Sequence, residues 1–143
     1  MRPRATARGS RRTAAIQERV TRLSALVERF VYDLGLVTAG CDPDIDGYVA
    51  ADLAERLRSS MRAARAADVV TRPDFGDYAQ MTVDGDIVDA TAPARVTVDL
   101  DDRSTRVDAG GNVVVRMRRR VHLHLVVDAA LQRIVDCRVE IAS

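Results

Sequence analysis

Apolar residues follow a helical period in the first half of the chain and a period of two in the second half. Between residues 14 and 34 they recur every three or four positions, with charged residues between them, which predicts an amphipathic helix. Gly40 and Pro43 predict the end of this helix. A second helix is predicted by the apolar stripe Val49, Leu53, Leu57 and Met61.

Strands are predicted from residue 79 onward, where apolar and polar residues alternate. The predicted strands cover residues 79–83, 95–101, 113–127 and 135–141. Asp84-Gly85 predicts a two-residue hairpin turn with a return strand at Ile87-Val88. Residues 69–78, between the helices and the strands, contain proline and glycine and predict a loop.

Two helices followed by antiparallel strands with short connections predict an α+β fold. We expect the N-terminal helices to pack on a curved antiparallel sheet of three to five strands, in a single cone-like domain formed by residues 13–143. Residues 1–12 carry five arginines and no acid, and they predict a flexible basic arm. No aromatic residue stands between these arginines to stack on bases, so nucleic-acid binding through residues 1–12 is not favoured.

Composition places the chain among bacterial cytoplasmic proteins. All 22 basic residues are arginine, and with the abundance of alanine, valine and aspartate this indicates a GC-rich genome. No apolar run approaches the roughly 20 residues that span a bilayer, and the first residues lack the apolar core of a secretory signal. Cys41 and Cys137 are far apart and form no CxxC pair, so we expect reduced thiols.

The segment CDPDIDGYVAADL, residues 41–53, begins like a calcium-binding loop. Asp42, Asp44 and Asp46 alternate and a glycine follows, as in the first half of an EF-hand loop. The twelfth position of that loop requires a bidentate glutamate, and it is occupied by Leu53. We therefore predict no calcium site. Instead, we expect Asp42 or Asp46 to accept hydrogen bonds at the start of the second helix.

The predicted strand 113–127 separates charged and apolar residues onto opposite faces. Its even positions form a ladder of basic side chains, which we predict to be an interaction surface: Arg116, Arg118, Arg120, His122 and His124. The two histidines have the spacing of two zinc ligands, but the chain contains no third histidine, so neither a metal nor another cofactor is predicted. Asp99, Asp101, Asp136 and Glu140 are expected to balance the ladder from neighbouring strands.

Arg119 is the only charged residue in the apolar row of the same strand. A buried guanidinium must be paired or must face a cavity. Three explanations are open: a bulge turns Arg119 outward, it reaches the edge of the sheet, or it projects into a pocket. For the third explanation, the candidate pocket residues are Arg119, Asp99, Tyr32 and Tyr78.

The order of elements and the segment RMRRRVHLHLVVDAALQRIVD resemble the nuclear-transport-factor-2-like superfamily, with its cone-shaped, cystatin-like α+β fold. The ending QRIVDCRVEI is similar to the last hairpin of that superfamily, although Gln132 stands where many members have tryptophan. The resemblance implies either an enzyme that acts inside the cone, such as an isomerase, cyclase, dehydratase or epoxide hydrolase, or a non-catalytic domain. No catalytic residue of the superfamily can be assigned to this chain.

We therefore expect a non-catalytic interaction module that binds a protein partner, or forms a homodimer, through its sheet. The alternative is a small-molecule-binding protein or an isomerase-, cyclase- or hydrolase-like enzyme that uses a pocket lined by Arg119. The sequence leaves open whether the protein is an enzyme.

Overall fold

Two helices form the first half of the molecule. The computed structural model describes residues 3–76 and 80–142, with side chains from residue 9 onward. Helix α1 spans Pro3–Thr38 and helix α2 spans Ala51–Ala66. The described part of the predicted basic arm is thus helical and continues into α1, whereas a division at residue 12 stays a prediction. No helix in these ranges combines the length and the apolar character that a bilayer span requires.

Within residues 3–76 and 80–142, seven antiparallel strands form two sheets, and the helices pack against them. The strands are β1 (Val70–Arg72), β2 (Gln80–Asp84), β3 (Ala94–Asp102), β4 (Thr105–Val107), β5 (Val113–Arg116), β6 (Arg119–Val127) and β7 (Ile134–Ala142). The three-stranded sheet has the order β1-β4-β5 and the four-stranded sheet has the order β2-β3-β6-β7. The predicted α+β class is confirmed, and the described sheets do not close into a barrel.

The core lies between α1, α2 and one face of the four-stranded sheet. The helical stripes predicted from the sequence are buried, with Leu23, Val27 and Phe30 of α1 at most 1% exposed. Strand β3 alternates as predicted, since its even positions from Ala94 to Asp102 are buried. Fully burying an apolar side chain of this size contributes on the order of 1.5–3 kcal/mol, so these rows fix which face of the sheet meets the helices.

The prediction of one long strand over residues 113–127 is wrong, because a break divides this segment into two strands. Residues 117–118 interrupt it between β5 and β6, and residues 103–104 interrupt the partner strand between β3 and β4. At this strand break, Met117 N donates to Ser104 O at 2.9 Å. The two halves of one long hairpin therefore belong to different sheets.

Two further expectations about the strands are wrong. Ile87 and Val88 lie in a turn rather than in a return strand, and β2 pairs instead with β3 after a longer connection. Residues 70–72 form β1 within the predicted loop, because Val70 to Arg72 pair with Val107 to Thr105. Short pairings of this kind depend on a distant partner strand, which local sequence patterns do not reveal.

The junction between the helices is fixed by backbone pairing rather than by aspartate capping. Ala50 is the N-cap of α2 and makes no side-chain capping bond, so the expected role of Asp42 or Asp46 is wrong. Ala50 N donates to Ile134 O at 2.9 Å, and Ile134 N donates to Tyr48 O at 2.8 Å. This bridge to the start of β7 places the first turn of α2 beside the sheet.

Candidate ligand-binding cavity

The strand break brings a carboxylate and a guanidinium together on the inner side of the sheet. Asp102, the last residue of β3, is paired in register with Arg119, the first residue of β6. Arg119 Nε donates to Asp102 Oδ2 at 2.9 Å, and Ser104 N donates to Asp102 Oδ1 at 3.0 Å. The side chain of Asp102 is 3% exposed and that of Arg119 is 41% exposed. A buried carboxylate therefore holds a partly exposed guanidinium.

Hydrogen bonding keeps Asp102 ionised despite its burial. Burial alone disfavours the carboxylate and is the largest single influence, but the hydrogen bonds from Ser104 and Arg119 together outweigh it. The pKa of Asp102 is therefore lowered from its ordinary value. Asp102 lies in β3, and its contact with Arg119 fixes the orientation of that side chain.

The loop that follows β1 covers one side of the strand break. Asp74 N donates to Ser104 Oγ at 3.1 Å, and Arg103 N donates to Asp74 O at 2.8 Å. The next residue, Phe75, packs against the core and lies next to Gly35 of α1. The loop thus links α1 to the strand break and forms a wall of the space in front of Arg119.

A cavity of about 180 Å³ lies in front of the Arg119–Asp102 pair. Its polar end is formed by Arg119, Asp102, Ser104 and Arg106. Its other walls are mostly apolar and come from α1, the loop after β1 and the inner face of the sheet. These apolar walls comprise Leu34, Phe75, Leu100, Met117, Val121, Leu123 and Val139.

The cavity continues into a wider apolar groove of about 490 Å³ between α1, α2 and β7. Leu34, Thr38 and Val139 line both spaces. Beyond these residues, the groove is lined by Leu53 and Leu57 of α2 and by other side chains of the two helices and β7. We call the cavity and the groove together the inner groove. Its walls are mostly apolar, with Arg56 and Ser60 of α2 among the polar exceptions, and its polar end lies at the Arg119–Asp102 pair.

Two of the other candidate pocket residues, Asp99 and Tyr32, lie elsewhere. Asp99 is on the outer face of the sheet, where it contacts His122, and it does not face Arg119. Tyr32 is 70% exposed and lines a separate cavity of about 620 Å³ beside the loop after β1. Tyr78 lies outside the described residues. Of the three candidates within the described residues, Arg119 is the one that lines the inner groove.

The outer face of the four-stranded sheet carries three residues of the predicted ladder, Arg120, His122 and His124. In register, Arg120 faces Asp101, and His122 faces both Asp99 and Glu140. His124 Nδ1 lies 3.4 Å from Thr97 Oγ1, and His124 Nε2 lies 3.7 Å from Glu140 Oε2. Acidic side chains on neighbouring strands therefore balance this surface, as cross-strand pairing favours.

The remaining two ladder residues are separated from these three. Arg116 ends β5 in the three-stranded sheet and pairs with Thr105, and Arg118 lies in the strand break. Asp136 pairs with Arg56 of α2 rather than with the ladder. The five basic residues consequently do not form one continuous row.

Two of the three aspartates in residues 42–46 contact the helices. Asp46 Oδ1 lies 2.8 Å from Arg58 Nη2, and Asp44 O accepts a hydrogen bond from Arg29. Within the described ranges, no cluster of three or more histidine, cysteine, aspartate or glutamate side chains has a geometry that could hold a metal ion.

Sequence reasoning missed three residues of the polar end: Asp102, Ser104 and Arg106. A signal was present for Asp102, because it follows Leu100 at a spacing of two and so continues the buried row of β3. Ser104 and Arg106 gave no comparable signal, since their position depends on the strand break.

Comparison with known proteins assigns the chain to no family. No protein-family model matches the sequence, and no curated protein sequence matches it.

Proposed function

We propose that the chain binds a small amphipathic organic acid in its inner groove. The observation that carries this proposal is the polarity of the groove: two guanidinium groups and one carboxylate stand at one end, and the remaining walls are mostly apolar. Arg56 also lines the groove, but it is paired with Asp136. Ligand sites commonly combine apolar walls with a few converging polar groups in volumes of about 300–1,000 Å³. An acyl chain suits such walls, and a carboxylate suits the arginine end.

Charge and geometry favour an acidic head group. Arg119 uses Nε for Asp102, so its terminal nitrogens are the donors that we assign to the ligand. Arg106 adds a second cation, whereas Asp102 is the single carboxylate among the described residues that line this end. Arginine donates two parallel hydrogen bonds to a carboxylate, which gives the site both affinity and orientation.

Binding is better supported than histidine-dependent catalysis. The chain has two histidines, and both lie on the outer face of the sheet, away from the inner groove. The chain resembles the nuclear-transport-factor-2-like superfamily, whose enzymes act inside the cone. That resemblance favours the inner groove, rather than the outer face with its histidines, as the functional site. We include membership of that superfamily in the proposal.

Titration with straight-chain alkanoates, followed by calorimetry and by NMR shifts, tests the proposal. We expect affinity to rise with chain length, since each buried methylene contributes about 0.8 kcal/mol. Arg119→Gln should weaken binding by about tenfold or more, because a charge-assisted hydrogen bond is lost. Arg120→Gln is the matched control: it removes the same charge one residue further on, on the opposite face, and should leave binding unchanged.

Two results would contradict the proposal. One is an equal loss of affinity in the two variants, which would indicate a non-specific effect of charge. The other is the absence of NMR shifts at groove residues with every alkanoate at millimolar concentration.

A second candidate function is association with a protein partner through the outer face of the sheet. The observation that favours it is the position of Arg120, His122 and His124 on the side opposite the helices, where they stay partly or fully exposed. Replacing all three by serine should reduce such association without unfolding the chain. Unchanged association in affinity capture with the purified variant would exclude this surface.

A further inference from the structure

Strand β7 has apolar side chains exposed on the inner face of the sheet. It is the end strand of the four-stranded sheet, and Val139 and Ile141 are each 56% exposed although they face the same side as buried Leu123 and Val121. Within the described residues, its outer edge is bridged at Ile134, to Val49, and is not paired beyond that point.

Beyond its bridge to Val49, this edge lacks a proline, a bulge and an inward-pointing charge. Proteins protect exposed edges with proline, bulges or inward-pointing charges. Between Asp136 and Ala142, β7 contains no proline, its register with β6 is regular, and its inward-pointing residues are Cys137, Val139 and Ile141. An extended, regular edge of this kind is a template for strand addition.

We propose that two copies of the chain pair antiparallel through their β7 edges, with Val139 on the two-fold axis. In this register Arg138 of each copy faces Glu140 of the other, which gives two opposite-charge pairs on the outer face. Cys137 faces Ile141 of the other copy, so the inner face of the joined strands stays apolar. The two four-stranded sheets become one continuous sheet of eight strands.

Charge and steric constraints select this register over its neighbours. Centring on Arg138 would oppose Arg138 to itself and Asp136 to Glu140, and like charges directly opposite each other are destabilising. Centring on Cys137 would require the edge at Ile134, where Val49 already pairs. The register centred on Val139 uses residues 136–142 alone.

Pairing would also complete the inner groove. Val139 lines the groove and is more than half exposed, because no strand lies beyond β7 in the described chain. A second β7 covers this open side and brings its own Val139 and Ile141 to the groove wall. The contacts of the dimer lie on β7 and not at Arg119, so the dimer can form without a bound ligand.

Analytical ultracentrifugation of the full chain tests the pairing. We expect a dimer whose dissociation constant rises by about tenfold or more in Val139→Lys, which places two like charges on the two-fold axis. Val114→Lys is the matched control, because Val114 is also an exposed valine on a strand but belongs to the other sheet; its dissociation constant should not change.

Charge reversal tests the register separately. Arg138→Glu and Glu140→Arg should each weaken the dimer, because each opposes like charges across the axis. The double variant restores two opposite-charge pairs and should recover most of the lost affinity. Thermal unfolding of each variant monitors its fold, so that loss of dimer is not confused with loss of structure.

Cross-linking gives the direct readout. In a Cys41→Ser background, Val139→Cys should form a disulfide-linked dimer under mild oxidation, because directly opposed strand residues have the Cα separation that a disulfide needs. Val114→Cys in the same background should not. A chain that is monomeric in ultracentrifugation, or one whose dimer tolerates Val139→Lys, would overturn the proposal, and neither result depends on whether alkanoates bind.

Discussion

Arg119 Nε lies 2.9 Å from Asp102 Oδ2, and this contact joins the first residue of β6 to the last residue of β3. Asp102→Asn should lower the free energy of unfolding by about 1–3 kcal/mol, because a buried hydrogen-bonded charge is replaced by a poorer partner. Urea denaturation measures this change. Asp101→Asn is the control: the side chain of Asp101 is 45% exposed and pairs with Arg103 at the surface, so a small effect is expected.

The Arg119–Asp102 pair also predicts how stability depends on pH in the acid range. Because the fold lowers the pKa of Asp102, its contribution to stability is present above the ordinary carboxyl value of 3.8 and is lost as the pH falls through the lower, folded value. The stability difference between wild type and Asp102→Asn should therefore shrink below about pH 4. A difference that stays constant down to about pH 2 would show that Asp102 is not ionised in the fold.

Tyr48 and Asp33 form a second buried polar contact. Tyr48 Oη donates to Asp33 Oδ2 at 2.5 Å, and the guanidinium of Arg29 stands 4.1 Å from the centre of the tyrosine ring. Tyr48→Phe keeps the ring but leaves Asp33 without this donor, which should cost about 1–2 kcal/mol of unfolding free energy.

The Tyr48 contact also predicts how the stability of the fold changes at alkaline pH. Burial, and after it the hydrogen bond to Asp33, raise the pKa of Tyr48 far above its ordinary value of 10.0. A raised pKa stabilises the fold fully below the unfolded value and progressively less as the pH rises above it. Wild type should thus lose stability more steeply than Tyr48→Phe above about pH 10; parallel curves would contradict the buried contact.

Gly40 is required for the way in which α1 ends. It has a φ of 83°, Gly40 N donates to Val37 O, and Cys41 N donates to Leu36 O, which is the pattern of a Schellman cap. A Cβ at this position would lie 3.1 Å from Arg65 Cγ. Gly40→Ala should therefore destabilise the chain by about 1 kcal/mol or more.

Gly47→Ala provides the comparison for Gly40. Gly47 is not among the described glycines with positive φ, and a Cβ there would meet nothing within 4 Å. The melting temperature of Gly47→Ala should match that of wild type, whereas the melting temperature of Gly40→Ala should fall. Equal melting temperatures for the two variants would argue against the helix cap.

The two thiols should differ strongly in reactivity. Cys41 is exposed, whereas burial, and after it the charge of Asp136, raise the pKa of Cys137 to about 11. With a thiol reagent at about pH 8, we expect Cys41 to react on the order of a hundredfold faster than Cys137, because the thiolate is the reactive form. Cys41→Ser should abolish the fast phase of the reaction. If a fast phase remains in this variant, it belongs to Cys137, which would contradict the prediction.

The parts of the fold that follow from local periodicity could be predicted. The stripe Val49, Leu53, Leu57 and Met61 is buried in and beside α2, and the inner row of β6 from Val121 to Val127 is buried as expected. The strand break could not be predicted, because the odd positions of residues 113–127 other than Arg119 stay apolar on both sides of it. Val113 and Val115 continue the apolar row in sequence but are 42% and 43% exposed.

The candidate site could be predicted from the sequence only in part. Arg119 is recognisable as a charge within an apolar row. Its partner Asp102 is adjacent to another aspartate, and a pair of aspartates before Arg103 resembles a solvated turn. The spacing of two from Leu100 was the one sequence signal that Asp102 lies inside, and the register of β3 with β6 shows that it does while Asp101 lies outside.

The strand break has a consequence for how this sequence tolerates insertions and deletions. An extra residue within 121–127 would reverse the two faces of β6, exposing Leu123 and turning His124 toward the helices. An extra residue at 117–118 falls outside both ladders, where the backbone hydrogen bond from Met117 N to Ser104 O stands alone, so the connection can absorb it. Length variation among related chains is therefore expected to concentrate at these two positions, and each sheet can diverge without shifting the other.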